Sequence, residues 1–269
     1  MNTREFAGYA IVRNLAGGGM TRLFVALDSQ QRRVVVRYLT EDWARRRRYR
    51  KSFFHGADVI RRLDHPNIIR VYEQGYSGRI PYMVLEYVES RTLRELILNR
   101  DPLLTQNVLS LMRQIAAGLF HIHSAGFLHL DLKPDNILVQ SDGRVVIIDF
   151  DLAVKQRWRP VRIRRAHGTP GYVAPETILR RVVDERSDIY SFGVTGYEML
   201  TCHKPFEGDR IEKVRADQMD PNVRPTPLRS HNPSAPLAME SLIFKCLAKE
   251  PADRYPSMSL VIRDLEALI

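Results

Sequence analysis

The hydrophobic pattern changes period near residue 89, and that change limits the possible folds more than any single motif does. Before it the chain reads as strands. Residues 9–15 are apolar-rich and run into Gly17-Gly18-Gly19, residues 23–27 are apolar, and residues 33–39 carry three consecutive valines. β-Branched runs between glycine and polar turns are strand signals. One helix is expected at 46–63, with Val59, Ile60 and Leu63 at helical spacing, and His65-Pro66-Asn67 stops it. Strands follow at 68–76 and 81–87. After Glu89 the pattern is helical. Thr105 reads as an N-cap, and Val108, Met112, Ile115, Leu119 and Ile122 form an apolar stripe that Gly126 ends. Short strands at 137–139 and 145–148 flank Ser141-Asp142-Gly143, and helices are expected at 185–200, 238–248 and 257–267. A strand-rich third and a helical remainder predict two unequal lobes, 1–88 and 89–269, with ligands favoured at the junction near residues 86–89.

Composition narrows the function classes. Hydrophobic residues make up 44% of the 269, enough for a sizeable core, and charged residues 27%. No apolar run approaches the roughly 18 residues needed to span a bilayer, and residues 1–8 lack the apolar core of a signal peptide. Two cysteines far apart, Cys202 and Cys246, exclude a disulfide scaffold and point to a reduced, cytoplasmic setting; both are expected to pack in the core. The net charge of +10 comes from 34 arginines against seven lysines. Guanidinium favours bidentate contact with phosphate or carboxylate. An acidic protein partner suits this surface, whereas nucleic-acid binding has no motif beyond the charge.

The chemistry concentrates in His129-Leu130-Asp131-Leu132-Lys133-Pro134-Asp135-Asn136 and, thirteen residues later, Asp149-Phe150-Asp151 after a strand. Asp149 and Asn136 can share a hard cation through oxygen, as magnesium requires. Asp131 can then orient a hydroxyl, and Lys133 can neutralise a moving phosphoryl group.

With these segments in place the chain resembles the eukaryotic-type (Hanks-type) serine/threonine protein kinases of bacteria, along nearly its whole length. Residues 15–26 stand where the glycine-rich loop belongs, Val34-Val35-Val36-Arg37 where a strand normally ends in lysine, and residues 81–88 as strand and hinge with Leu85 as gatekeeper. Gly168-Thr169-Pro170-Gly171-Tyr172 with Ala174-Pro175-Glu176 resembles the end of the activation segment, and residues 188–193 the central helix of the large lobe. The resemblance implies an α+β, bilobal kinase-like fold with a small β-rich N-lobe and a larger helical C-lobe. It implies ATP and Mg2+, catalytic roles for Asp131, Lys133, Asn136 and Asp149, metal ligation by Asn136 and Asp149, and nucleotide contacts from Gly18, Gly19, Arg37, Glu86 and Val88. It also implies a pair between Arg254 and Glu176.

The departures cluster in the small lobe. Arg37 replaces the phosphate-holding lysine, and a planar guanidinium is no simple substitute for an ammonium. Counting back from His65 puts Gly56 where the partner glutamate belongs. Ala16 and Thr21 replace two loop glycines, Leu130 the catalytic-loop arginine, and Asp151 the last glycine of the metal motif. Residues 150–167 contain no serine, threonine or tyrosine but carry Lys155, Arg157, Arg159, Arg162, Arg164 and Arg165, so no phosphate can be attached there. Trp158 in this stretch is expected to fold back over the nucleotide cleft, the alternative being insertion into a partner. The run Arg45-Arg46-Arg47-Arg48 with Arg50 and Lys51 reads as a docking patch or a solvated helix start. Together these residues imply a pseudokinase or severely weakened kinase that still takes ATP and magnesium and acts through a protein partner. The alternative is an active, atypical serine/threonine kinase. A small-molecule phosphotransferase shares the His-x-Asp-x-x-x-x-Asn pattern but not the segment 168–176. The chain can be the cytosolic domain of a longer protein.

Overall fold

The valine run is the centre of a sheet. In the computed structural model, which describes residues 5–15, 17–164 and 168–268, six antiparallel strands form the sheet of the smaller of two compact units. They are β1 (Glu5–Phe6), β2 (Tyr9–Asn14), β3 (Thr21–Leu27), β4 (Arg33–Leu39), β5 (Val71–Ser77) and β6 (Ile80–Glu86), in the order β1-β2-β3-β4-β6-β5. Alternation along β4 sends Val34 and Val36 to one face, where they pack with Phe24, Ala26, Tyr82 and Val84. The opposite face carries Leu39 and Met83, which pack with Ala44 of α1 (Glu41–Ala44) and Phe53 and Ala57 of α2 (Arg47–Ile60). α1 is not expected from the sequence, because four residues carry too little periodicity to read.

The basic run lies at the α1–α2 junction. Arg50 donates from Nη1 to the Ala44 carbonyl at 2.5 Å, satisfying one of the orphan acceptors at the end of α1. Arg46 stacks on Trp43 at 4.9 Å and Arg48 on Tyr49 at 5.0 Å.

The smaller unit comprises Met1–Asp64 and Ile68–Glu89; the larger comprises His65–Asn67 and Ser90–Ile269. His65–Asn67, inside the stretch 1–88, folds with the larger unit through the bonds of Asn67. Asn67 donates to the Val145 carbonyl at 2.8 Å and to Gln114 Oε1 at 3.0 Å, and accepts from the Ile147 amide at 2.8 Å.

The larger unit contains β7 (Arg91–Thr92), α3 (Leu93–Leu98), α4 (Pro102–Ser124), β8 (Phe127–Leu128), β9 (Ile137–Val139), β10 (Val145–Ile147), β11 (Val154–Lys155), β12 (Val161–Arg162), α5 (Pro175–Leu179), β13 (Val182–Val183), α6 (Glu185–Thr201), α7 (Ile211–Met219), α8 (Leu228–His231), α9 (Leu237–Cys246) and α10 (Met258–Glu266). Its core is α6, buried along nearly its whole length, packed by α4 and α9. Gly118 of α4 lets the helix approach the β9–β10 hairpin: a Cβ there would sit 2.7 Å from Ile147 Cδ1. α4 starts earlier than Thr105 suggests. Asp101 caps it, accepting from the Leu103 amide at 2.9 Å, Pro102 takes the first helical position, and the helix kinks at Asn107. Thr105 is a first-turn residue that donates to the Pro102 carbonyl at 3.2 Å. Cys246 is buried as expected, but Cys202 is only half-buried, in the left-handed C-cap of α6 with φ 60°. Among the described residues no helix is long and apolar enough to cross a membrane.

Candidate active site

The loop after β8 takes its shape from one buried carboxylate. Asp188, in the first turn of α6, accepts from the His129 and Leu130 amides, each at 2.8 Å, and from the His123 ring Nε2 at 2.9 Å. It is fully buried. Burial alone would raise its pKa; the bond from His123, the nearby His129 ring and the Leu130 amide outweigh that and hold the carboxyl below the usual range. Leu130 is held at φ 63°, a left-handed conformation that costs a branched residue about 1–2 kcal/mol. The amide bonds to Asp188 offset that cost. His129 then bridges to the next segment: its Nδ1 accepts from the Asp131 amide at 3.2 Å, so Nε2 carries the hydrogen donated to the Ile148 carbonyl at 3.2 Å. Its ring also meets Phe150 edge-on at 4.8 Å.

Asp131, Lys133, Asn136 and Thr169 converge on this frame. Lys133 Nζ donates to Asp131 Oδ2 at 3.0 Å and to Thr169 Oγ1 at 2.6 Å, and the Thr169 hydroxyl donates to Asp131 Oδ1 at 3.2 Å. Asn136 Nδ2 donates to the Asp131 carbonyl and to Oδ2, both at 2.9 Å. The amide oxygen of Asn136 therefore points away from Asp131. The β9–β10 pairing, Ile137 opposite Ile147, puts Asn136 just before one strand and Asp149 two residues beyond the other. Asp149 is itself left-handed, at φ 64°. Two non-glycine residues at positive φ in one loop pair is the kind of strain that gathers at functional sites.

The donor set fits a hard cation. The Asn136 amide oxygen and the Asp149 carboxylate are the oxygen ligands that magnesium takes, and magnesium completes its shell with water and phosphate oxygens rather than a full protein cage. Among the described residues no group of three or more His, Cys, Asp or Glu could hold a metal alone.

The residues implied for the nucleotide in the smaller unit lie apart along its sheet. Gly18 and Gly19 are exposed between β2 and β3, and a Cβ on either would meet nothing within 4 Å. Glu86 ends β6 opposite Val34, its amide donating to the Arg70 carbonyl at 3.0 Å; Val88 is buried just beyond. Arg37 shares the α2 face of β4 with Leu39, and its guanidinium carbon lies 5.5 Å over the Phe53 ring. Gly56 stands one turn after Phe53 and is buried, in the stripe Phe53, Gly56, Ala57, Ile60. Ala16 lies outside the described residues.

Two short ladders tie the described part of the activation-like segment to its neighbours. Val154 and Lys155 pair with Leu128 and Phe127, and Val161 and Arg162 with Val183 and Val182. Leu130 lines a cavity of about 250 Å³ with Leu152, Val154, Ile163, Val173 and Ala174. Trp158 does not fold back. It is 84% exposed, with the Arg159 guanidinium 4.1 Å from its ring. Arg165 is outside the described residues.

Glu176 and Arg254 pair as the resemblance implies, through two bonds of 3.0 and 2.8 Å, both side chains buried. The Ser187 hydroxyl adds a bond to Glu176 at 2.7 Å. A second cluster has no sequence signature. Arg94 of α3 bonds Glu198, the Tyr172 hydroxyl at 2.5 Å and Asp135 at 3.2 Å, and Tyr172 bonds Glu198 at 2.5 Å. Burial beside Glu198 pushes the Tyr172 hydroxyl pKa up. No spacing rule joins residues this distant; only α6 brings them together.

The comparisons agree with this geometry. The sequence profile of the family described as protein kinase domain matches residues 9–264. The chain is 33% identical over 261 residues to the serine/threonine-protein kinase PrkC of Bacillus subtilis, covering 96% of this chain and 39% of that protein. It is 33% identical over 263 residues to the serine/threonine-protein kinase PknL of Mycobacterium tuberculosis, covering 97% of this chain and 65% of that one. It thus spans only part of the length of both relatives. The crystal structure of the M. tuberculosis PknI kinase domain superposes with a TM-score of 0.74 at 23% identity, covering 100% of this chain and 99% of that one, which shows the fold. With a matched profile over nearly its full length and the fold in common, the chain belongs to the protein kinase family, alongside the bacterial Hanks-type serine/threonine kinases.

Proposed function

We propose that this domain is a serine/threonine-type protein kinase whose phosphoryl transfer is severely weakened, which keeps ATP and magnesium binding, and which acts by engaging a protein partner. The observation that carries the proposal is Gly56. It occupies the buried stripe of α2 one turn from Phe53, the ring over which Arg37 lies. That place in the helix, where the family resemblance calls for a glutamate, offers no carboxylate to hold the basic residue of β4. Phosphoryl transfer depends almost wholly on positioning and electrostatics. Losing one such group costs about 3–4 kcal/mol, roughly 10²–10³ in rate.

The geometry of the larger unit supports the following roles. Asn136 and Asp149 would hold magnesium, which supplies charge neutralisation for the phosphates. Asp131 orients the accepting hydroxyl. Lys133, held between Asp131 and Thr169, lends positive charge to the same place. Arg37, Gly18, Gly19, Glu86 and Val88 are the smaller unit's contribution to the nucleotide.

One observation favours a second reading, an active atypical kinase: the Asp131–Lys133–Asn136–Thr169 network is complete. Transfer of labelled γ-phosphate, beside a thermal shift with ATP and with ATP plus magnesium, separates the two. The proposal expects stabilisation that needs both ligands and a turnover at least about 10²-fold below the ordinary kinase range of 1–100 s⁻¹. Turnover within that range, abolished by Asp131→Asn, would establish the second reading instead.

A further inference from the structure

A groove of about 550 Å³ runs between the end of β12 and the turn after α5. Arg162, Ile163 and Arg164 form one wall; Leu179, Arg180 and Arg181 form the other. Four guanidinium groups therefore line one depression. The two walls are fixed to each other by the β12–β13 pairs and by a bond from the Ile163 amide to the Arg181 carbonyl at 2.9 Å. Arg181 is itself held in the left-handed region, at φ 54°, an unusual state for a long side chain. Like charges placed this close repel one another, and nothing in the described structure neutralises most of them. Arg180 alone of the four has an ion-pair partner among the described residues, Glu250 at 3.2 Å. Both members of that pair are exposed, so it contributes at most about 1 kcal/mol and exchanges cheaply.

Arginine rather than lysine lines the groove, and its fork matches a phosphate bidentately. The remaining lining, Ile163 and the 58%-exposed Leu179, is apolar and suits side chains beside the phosphate. Among the described residues no aromatic ring lines the groove of the kind on which single-stranded nucleic-acid sites stack bases. The phosphate must come from outside the segment, because residues 150–167 hold no serine, threonine or tyrosine.

We propose that this groove is a docking site for a phosphorylated serine or threonine segment of a partner protein, held by Arg162, Arg164, Arg180 and Arg181. It names the partner class within the partner-binding reading above and rests on it. The binding test uses no nucleotide, so failure of docking and failure of weakened transfer are read separately.

The probe is a fluorescent peptide library with one fixed phosphothreonine and degenerate flanks, followed by anisotropy at physiological salt. The matched unphosphorylated library and a short single-stranded DNA of random sequence serve as competitors. The phosphorylated library should bind at least about tenfold more tightly than the unphosphorylated one, and inorganic phosphate should displace it. Arg164→Ala with Arg181→Ala should weaken it by at least about tenfold. Arg164→Lys with Arg181→Lys, which keeps the charge, should recover only part of that loss. The thermal midpoint of each variant shows that the fold is retained, as expected for exposed side chains. Equal affinity for the two libraries, no binding of either, full affinity in the alanine variant, or tighter binding of the DNA would each overturn the proposal.

Discussion

In the larger unit the carboxylates around the catalytic loop meet buried partners: Asp188 holds His123 and the two loop amides, and Glu176 holds Arg254 and Ser187. In the smaller unit the sheet face that carries Arg37 is packed as core, with Leu39, Phe53, Ala57 and Met83, and Gly56 lies in the buried stripe of α2 one turn from Phe53, the ring under the Arg37 guanidinium. A buried charge network is costly to disturb, because removing one member strands the other in a low dielectric. At position 56 a glycine brings no charge into the apolar packing of Phe53 and Ala57.

The largest effect should come from breaking the buried pair. Glu176→Ala should destabilise the protein by about 3–5 kcal/mol, measured as a lower urea midpoint with unchanged slope; a loss below about 1 kcal/mol would break the contrast. Asp188→Asn should cost about 3 kcal/mol through its weakened hydrogen bonds. The same carboxylate makes a pH prediction. Its folded pKa is depressed, so its contribution is complete above the unfolded value near 3.9 and disappears as pH falls through the folded one. Stability measured from pH 6 downward should drop more steeply in the parent than in Asp188→Asn, and parallel curves would count against the assignment.

The smaller unit gives the next effect. Arg37→Lys with Gly56→Glu should raise phosphoryl transfer by at least about tenfold, equivalent to about 1.4 kcal/mol of barrier. An unchanged rate would favour the atypical active kinase. Smallest of all, Trp158→Ala should shift stability by less than about 0.5 kcal/mol, since the ring is 84% exposed. A larger loss in thermal denaturation would mean that the ring does pack.

The fold was legible because its main signals are local. A β-branched run exposed β4, whose bounds match the expected 33–39, and the turn Ser141-Asp142-Gly143 exposed the β9–β10 hairpin. Asp131, Lys133 and Asn136 were legible because a loop can bring residues two and five apart together. Thr105 misled because its own side chain suits a cap while Asp101, four residues earlier and followed by Pro102, suits one better. The short helices α1, α3, α5, α7 and α8 were missed for want of a period to read.

By itself, then, the sequence determined the succession of the longer elements, the grouping of Asp131, Lys133 and Asn136 in one loop, the glycine at 56 and the absence of any hydroxyl in residues 150–167, since each is a property of residue identity at short range. Only the tertiary structure decided that Asp188 shapes the catalytic loop, that Arg94 joins Tyr172 and Glu198, that Trp158 stands in solvent, and that four arginines share one groove. Those contacts join residues far apart in the chain, and no local preference encodes which charges burial will force together.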